Sequence, residues 1–154
     1  MQFLLFIGKN MDLSFFNRRK LILSAFNEEE PNKNNDYSHV IDFNMVVGFR
    51  IVGYCDLRIG MNDMLYYAGN IGYHVYERYR GNGYAYKACL ELFKIAKNVY
   101  HMDKLIITCS PDNIASKKTL IKLGGQLLET CDVPSDHWLY LRGETVKEIY
   151  LFKL

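Results

Sequence analysis

Stretches of alternating hydrophobic and polar residues dominate the first half of the chain and predict a run of antiparallel strands. Tyr37 to Met45 and Arg50 to Ile59 follow the period of two that a half-buried strand requires, and a short turn near Gly48 joins them. Gly60 to Asp63 predicts a further turn that leads into a third strand, Leu65 to Tyr76.

A helical period replaces this alternation between Tyr84 and Val99. Lys87, Glu91, Lys94 and Asn98 recur on one side of the predicted helix. The opposite side carries small and apolar residues, which would let the helix pack closely on a sheet: Ala85, Ala88, Cys89, Leu92 and Ala96.

The C-terminal third of the chain predicts one more strand and helix, followed by two closing strands. A strand is predicted at Lys104 to Cys109, a turn at Ser110 to Asn113 and a helix at Ile114 to Leu123. The two closing strands are predicted at Gln126 to Cys131 and Lys147 to Leu154, with a long, mobile loop between them at Asp132 to Gly143. Strands and helices together indicate an α+β fold.

The N-terminal region has a weaker pattern. Asp12 to Phe26 is predicted to be helical or irregular, and Asn27 to Asp36 to be a polar loop. Phe3 to Ile7 is interpreted as a first strand or as a short extension ahead of an alternative start at Met11. This apolar run is much shorter than the roughly 20 residues that span a membrane, so no membrane association is expected.

Composition narrows the classes of function. A length of 154 residues predicts one domain, residues 1–154, and 49% hydrophobic residues argue against disorder. The net charge is only +2 and the basic residues are dispersed, so a nucleic-acid partner is not expected. The cysteines, at positions 55, 89, 109 and 131, lack the spacing of a zinc site or a disulfide framework. We therefore expect no metal and a reducing, cytoplasmic compartment.

The segment Arg80-Gly81-Asn82-Gly83-Tyr84-Ala85 carries the clearest candidate chemistry, because it links a predicted strand to the start of a helix. The first amides of a helix lack intrahelical partners, and the helix dipole adds partial positive charge there. Glycines allow an anion to approach the backbone, and Arg80 adds a full charge. The segment lacks both the Gly-x-Gly-x-x-Gly dinucleotide fingerprint and the Gly-Lys-Ser/Thr of a P-loop. The residues alone leave open an ordinary connection or a generic phosphate ligand.

Arg80-x-x-Gly83-x-Ala85 resembles the pyrophosphate-binding loop of the GCN5-related N-acetyltransferases, the GNAT superfamily. Asn113-x-x-Ser116 followed by Lys122-Leu123-Gly124 resembles a second block of the same superfamily, closest to the branch of ribosomal-protein N-terminal acetyltransferases. The resemblance extends from about Tyr37 to the C-terminus. It implies a single mixed, mostly antiparallel sheet flanked by helices, with splayed central strands and coenzyme A in the gap between them.

The resemblance also implies roles for individual residues. The cofactor, acetyl-CoA, would contact the residues Val75, Glu77, Arg80, Gly81, Asn82, Gly83, Tyr84, Ala85, Asn113 and Ser116. A backbone N–H near Val75 would polarise the thioester carbonyl. Ser116 is the candidate donor to the leaving thiolate, and Asn113 is also expected to cap the following helix.

Two positions depart from the family pattern. Many members have a glutamate base where this chain has Asn70, and a tyrosine acid where it has Leu120. The base is therefore left open among His74, Glu77, His137 and Tyr140, of which Glu77 and Tyr140 are taken as catalytic candidates together with Ser116. A cluster of tyrosines suggests an aromatic acceptor cleft: Tyr66, Tyr67, Tyr73 and Tyr76.

These observations predict an N-acetyltransferase that moves an acetyl group from acetyl-CoA to a primary amine by direct attack. The acceptor is left open among a small-molecule amine and a peptide or protein amine, and the oligomeric state is open as well, with a homodimer as one option. The alternative is a non-catalytic CoA-binding regulatory module of the same fold. An acyl-enzyme on Cys109 is disfavoured because the sequence offers no base beside it.

Overall fold

The computed structural model of the protein describes residues 20–36 and 38–154. The strands are β1 (Leu21–Glu29), β2 (His39–Val47), β3 (Arg50–Ile59), β4 (Ile71–Val75), β5 (Lys104–Cys109), β6 (Gln126–Asp132) and β7 (Val146–Lys153). The α-helices are α1 (Asp63–Ala68), α2 (Tyr84–Asn98), α3 (Ile114–Lys122) and α4 (Trp138–Leu141), and short 3₁₀ turns lie at Lys33–Asn35 and Glu77–Tyr79.

The strands form an antiparallel arrangement that confirms the α+β prediction. β1, β2, β3 and β4 are hydrogen-bonded in that order, and β5, β7 and β6 form the second group. All the strand pairs between described residues are antiparallel. Hydrogen bonding is interrupted between β4 and β5, so the predicted single sheet is divided in two at its splayed central strands.

Asn70 joins the two sheets by hydrogen bonds to Ile106 of β5. Its backbone N–H donates to the Ile106 carbonyl at 2.7 Å, and its side-chain Oδ1 accepts from the Ile106 N–H at 2.8 Å. Its Nδ2 donates to the carbonyls of Arg58 and Gly60 at 2.9 and 2.7 Å. Asn70 is fully buried, and these bonds satisfy the polar groups that burial would otherwise leave unpaired.

The predicted strand from Leu65 to Tyr76 is wrong in its first half. Residues Asp63–Ala68 form α1, whose N-terminus is capped by the Asn62 side chain accepting from the Leu65 N–H. Gly69 ends this helix with a φ of 81°, a backbone conformation that favours glycine. The aromatic residues in this segment suggested a strand, but the Asn62 cap and Gly69 confine them to a helical turn.

The N-terminal predictions also need correction. Leu21–Glu29 is a strand, although the pattern suggested a helix or irregular chain up to Phe26 and a loop from Asn27. It pairs with β2 from Leu21 opposite Val47 to Glu29 opposite Val40, with an irregularity between Ala25 and Asn27. Its outer end is exposed and polar, which hides the strand period. The predictions for Phe3 to Ile7 and for Met11 lie outside the described residues.

The connection between β6 and β7 contains structure where a long loop was predicted. α4 begins after His137, which is buried, and the His137 Nδ1 accepts from the Leu139 N–H. The opposite ring nitrogen, Nε2, lies 2.9 Å from the Met64 carbonyl and donates to it. Because both ring nitrogens are used, His137 has a structural role and is withdrawn as a candidate base.

The small face of α2 packs on the first sheet, as its pattern predicts. Ala88, Cys89, Leu92 and Ala96 are fully buried in the main hydrophobic core with residues of β1, β3 and β4. Small side chains allow the helix backbone to lie close to the strands, and this fixes the position of the helix N-terminus beside the end of β4. Within the described parts of the chain, no helix has the length and hydrophobicity needed to span a membrane.

Candidate functional site

The N-terminus of α2 opens without a capping side chain. Gly83 is the N-cap residue, with a φ of 70°, and no side-chain hydrogen bond caps the helix there. The amides of the first turn have no carbonyl partner within the helix, and the helix dipole makes this end partly positive. A helix of 15 residues therefore presents an anion-binding end beside the strand β4.

The loop that precedes α2 is held in place by its own polar side chains. Asn82 Nδ2 donates to the Tyr79 carbonyl at 2.9 Å, and Arg80 Nε donates to the Val75 carbonyl at 3.2 Å. Gly81 also has a positive φ, of 81°, and a Cβ added at Gly81 or Gly83 would meet no atom within 4 Å. The loop backbone is thus shaped by glycine and open to solvent on the side where a side chain would stand.

A cleft of about 490 Å³ lies between this loop, the end of β4 and the start of α3. It is lined by Tyr73, His74, Val75, Tyr79, Arg80, Gly81, Gly83, Tyr84, Ala85, Tyr86, Asn113, Ala115, Ser116 and Thr119. The structure therefore brings together most of the predicted cofactor residues. Glu77 and Asn82 are not among the lining residues; Asn82 instead fastens the loop, and Glu77 begins the 3₁₀ turn.

Asn113 and Ser116 lie at the N-terminus of α3. The Asn113 side chain accepts from the Ser116 N–H at 3.1 Å, which confirms the predicted cap. The Ser116 hydroxyl lies 2.6 Å from the Tyr73 hydroxyl, so β4 and α3 are linked across the cleft. The sequence analysis placed Tyr73 only among aromatic residues and missed this contact, because the partners are 43 positions apart in the chain.

Among the catalytic candidates, Ser116 lines the cleft, whereas Glu77 and Tyr140 do not. Tyr140 belongs to α4 and is 41% exposed. His74 contributes to the lining, but its ring stacks on Tyr54 with 5.2 Å between centroids. Leu120 is fully buried, so the position where related enzymes place a tyrosine contributes only to the core here.

Cys109 is a buried core residue. Burial, assisted by the Glu148 carboxylate, raises the pKa of its thiol to about 11, while Lys147 and Lys117 oppose that shift. A thiol with this pKa is protonated at neutral pH and is a poor nucleophile. Glu148 itself is occupied by Lys117 Nζ at 2.6 Å and the Tyr150 hydroxyl at 2.8 Å.

A second cavity, of about 550 Å³, contains several carboxylates. It is lined by Glu29, Lys33, Asn34, Asn35, Asp36, Val40, Asp42, Asp56, Arg58, Met64, Asp136, Trp138 and Leu141. Asp56 pairs with Gly72, and a Cβ built on Gly72 would lie 2.5 Å from Asp56 Oδ1. Successive strand residues point to opposite faces, so Asp56 and Tyr73 lie on opposite sides of the first sheet.

Asp56 was not a candidate from the sequence, where it is one acidic residue within a strand. Arg58 Nε lies 2.9 Å from its Oδ2 in an ion pair whose alignment falls short of a hydrogen bond. Burial raises the pKa of the Asp56 carboxyl, which Asp42 reinforces and the Arg58 charge opposes. Among the described residues, no cluster of three or more histidine, cysteine or acidic side chains is arranged to hold a metal ion.

The sequence matches a known protein family. Residues 14–126 match the model of the family described as "Acetyltransferase (GNAT) domain". That match covers most of the chain and includes the loop from Arg80 to Ala85 as well as α3. No curated protein matches the chain.

Solved acetyltransferase structures share the fold. The Microcin C7 self-immunity acetyltransferase MccE, solved with acetyl-CoA and AMP, superposes with a TM-score of 0.56 at 17% identity, over 75% of this chain and 61% of that one. Ribosomal-protein-S5-alanine acetyltransferase from Vibrio fischeri gives 0.60 at 19% identity, over 74% and 61%. Mycobacterium smegmatis RimJ, solved with CoA-disulfide, gives 0.59 at 15% identity, over 74% and 53%. The chain thus spans about three-fifths or less of the length of these relatives.

Proposed function

The chain belongs to the GNAT acetyltransferase family, and we propose that it transfers an acetyl group from acetyl-CoA to a primary amine. The observation that carries this proposal is the uncapped N-terminus of α2, where Gly83 opens the first amides of the helix onto the cleft. Such an end suits the diphosphate of coenzyme A because it offers both N–H donors and a favourable dipole. Arg80 adds a cation on the same side.

The cleft has the chemical groups that the remainder of acetyl-CoA requires. Val75 lies at the end of β4, beside the gap between the sheets; its carbonyl accepts from Arg80, and its N–H is the group we assign to an extended pantetheine arm. Asn113 and Ser116 face the same space from α3. We assign the diphosphate to residues 80–85, the arm to Val75 and Asn113, and the thioester end to the region of Ser116 and Tyr73.

The reaction then needs few groups from the protein. The amine nitrogen attacks the thioester carbon, the C–N bond forms, and the electron pair of the C–S bond leaves with sulfur. A strand N–H near Val75 stabilises the carbonyl oxygen, and removal of one such donor typically costs about 3 kcal/mol. Asn70 is not available as a base, because its side chain is buried in hydrogen bonds to three backbone groups.

The acid-lined cavity supports an amine as the acceptor. A primary amine with a pKa of about 10.4 is protonated at neutral pH, and the carboxylates of Asp42 and Asp56 attract such a cation. Asp56 and Tyr73 lie on opposite faces of the first sheet, so we propose that the amine reaches the thioester through the gap between β4 and β5. Asp56 lies on β3 opposite Gly72 of β4, and burial raises the pKa of its carboxyl.

Acetyl transfer is tested by thiol release from acetyl-CoA over a panel of small amines, polyamines and N-terminal peptides, with mass spectrometry of the products. The proposal predicts acetylated amine and an equal amount of free CoA for at least one class. Tight CoA binding with no turnover across the panel would favour the non-catalytic CoA-binding module. Absence of CoA binding would contradict both.

A further inference from the structure

The hydroxyl groups of Tyr73 and Ser116 form a pair inside the cleft. The oxygens are 2.6 Å apart, and both residues line the cavity between β4 and α3. Within the described residues, the structure gives the Ser116 Oγ no second hydrogen-bond partner. Ser116 therefore has one hydroxyl hydrogen whose direction depends on Tyr73.

Chemistry decides which oxygen donates. Either oxygen could donate; a phenol is a stronger acid than an aliphatic alcohol, so we assign Tyr73 as the donor and the Ser116 Oγ as the acceptor. Burial raises the pKa of the Tyr73 hydroxyl, which therefore keeps its proton at neutral pH. With the Oγ already accepting, the Ser116 hydrogen is directed away from Tyr73 and toward free space in the cleft.

We propose that Tyr73 is a positioning residue that aims the Ser116 hydroxyl hydrogen at the sulfur of bound coenzyme A. This inference rests on the proposed function and adds to it a residue that compensates for the buried Leu120. As the C–S bond breaks, negative charge collects on sulfur, and the Ser116 O–H stabilises it with a charge-assisted hydrogen bond. No proton need leave Ser116: a thiol with a pKa of about 8.5 is a stronger acid than either hydroxyl, and the proton lost by the amine neutralises the thiolate.

The fixed position of both oxygens supports this role. Asn113 accepts from the Ser116 N–H and thereby holds the start of α3, while β4 places Tyr73 on the core side of the first sheet with Ile71 and Val75. Preorganised donors stabilise a developing charge better than mobile ones, because they need not reorient during the reaction.

The sulfur contact is tested without turnover by comparing the affinity for CoA with that for desulfo-CoA, which lacks the sulfur. Both are measured at a pH above the pKa of the CoA thiol, where sulfur is charged. In the wild type the ratio favours CoA. Ser116→Ala is expected to reduce this preference about tenfold, and Tyr73→Phe, which keeps the ring, about fivefold. Ser116→Thr retains the hydroxyl and should retain the preference. Any change in affinity for desulfo-CoA in the same variants is divided out, because the ratio isolates the contact with sulfur.

A double-mutant cycle separates positioning from independent action. If Tyr73 acts through Ser116, then Tyr73→Phe lowers kcat about fivefold in the wild type and has no further effect when Ser116 is already alanine. Tyr150→Phe is the matched control, because it removes a tyrosine hydrogen bond of 2.8 Å to Glu148 outside the cleft and should leave both measurements unchanged.

The outcomes are distinct from those for the proposed function. Equal CoA preference in Tyr73→Phe and the wild type, or additive losses of kcat in the double variant, would overturn the positioning role even if acetyl transfer is observed. A change in sulfur preference with no turnover on any amine would support the Tyr73–Ser116 role while contradicting the transferase.

Discussion

Asn70 and Ile106 are joined by two hydrogen bonds, one from the Asn70 N–H at 2.7 Å and one to the Asn70 side-chain oxygen at 2.8 Å. The side-chain oxygen of Asn70 thus takes the place of a backbone carbonyl of a neighbouring strand, at the point where β4 and β5 begin to separate. A carboxylate at this position could accept from Ile106 but could not donate to the Arg58 and Gly60 carbonyls. The departure from the family pattern at this position therefore has a structural cause.

Substitution of Asn70 is expected to destabilise the protein. Asn70→Asp removes two donated hydrogen bonds and buries a charge, which should lower the free energy of unfolding by about 3 kcal/mol or more. Denaturant unfolding followed by circular dichroism measures the loss. Asn98→Ala, at an exposed position near the end of α2, should change stability by less than about 0.5 kcal/mol. Equal stability of Asn70→Asp and the wild type would contradict the role of Asn70 in joining the two sheets.

Asp56 is expected to show a conflict between stability and function. Burial raises the pKa of its carboxyl, with Arg58 opposing, so the folded state binds this proton more strongly than the unfolded chain does. The cost of ionising Asp56 is absent below the unfolded pKa of about 3.9 and grows as the pH rises through the folded pKa. Asp56→Asn should therefore raise Tm at neutral pH while raising KM for the amine. A lower Tm together with an unchanged KM would contradict both parts of this prediction.

The pair of Lys117 and Glu148 should give part of the acid sensitivity of the fold. Burial alone would raise the pKa of Glu148, but hydrogen bonds from Lys117 and Tyr150 outweigh it and hold the pKa below its usual value. A lowered carboxyl pKa contributes stability that is present above the unfolded pKa of about 4.3 and is lost as the pH falls through the folded pKa.

Lys117→Met tests this pair through unfolding at several pH values. We expect a loss of about 2 kcal/mol at neutral pH, less than for a fully buried pair because Lys117 is partly exposed, and a smaller loss in acid. Lys94→Met breaks an exposed pair with Glu91 on α2 and should cost less than about 0.5 kcal/mol. The same loss at all pH values would show that the charge of Glu148 is not involved.

The parts of the fold that depend on local pattern could be predicted from the sequence. The limits of β5 and α2, the turn near Gly48 and the Asn113 cap follow from period, glycine and capping residues, which act within one element. α1 could not be separated from β4, because its short aromatic segment suits either state until the contacts of Asn62 and Gly69 are known. β1 was missed because its exposed half lacks the period of a strand.

Only part of the candidate site could likewise be predicted from the sequence. The loop from Arg80 to Ala85 is contiguous, so its chemistry is visible in the sequence. The contact between Tyr73 and Ser116 depends on the approach of distant elements, and the position of Asp56 on the opposite face of the first sheet from Tyr73 depends on strand register. The sequence also could not show that both ring nitrogens of His137 form hydrogen bonds, one with the Leu139 N–H and the other with the Met64 carbonyl.

The central claim is that the amides at the start of α2 bind the diphosphate of coenzyme A, and calorimetric titration of CoA into the wild type and Gly83→Val tests it most directly. Valine at a φ of 70° strains the loop and places a side chain in the open space before the helix. Gly48→Val is the matched control, since Gly48 has a φ of 62° and similar free space in the β2–β3 turn. We predict at least a tenfold weaker Kd, about 1.4 kcal/mol, for Gly83→Val and an unchanged Kd for Gly48→Val. Equal CoA affinity in folded Gly83→Val and the wild type would contradict the account.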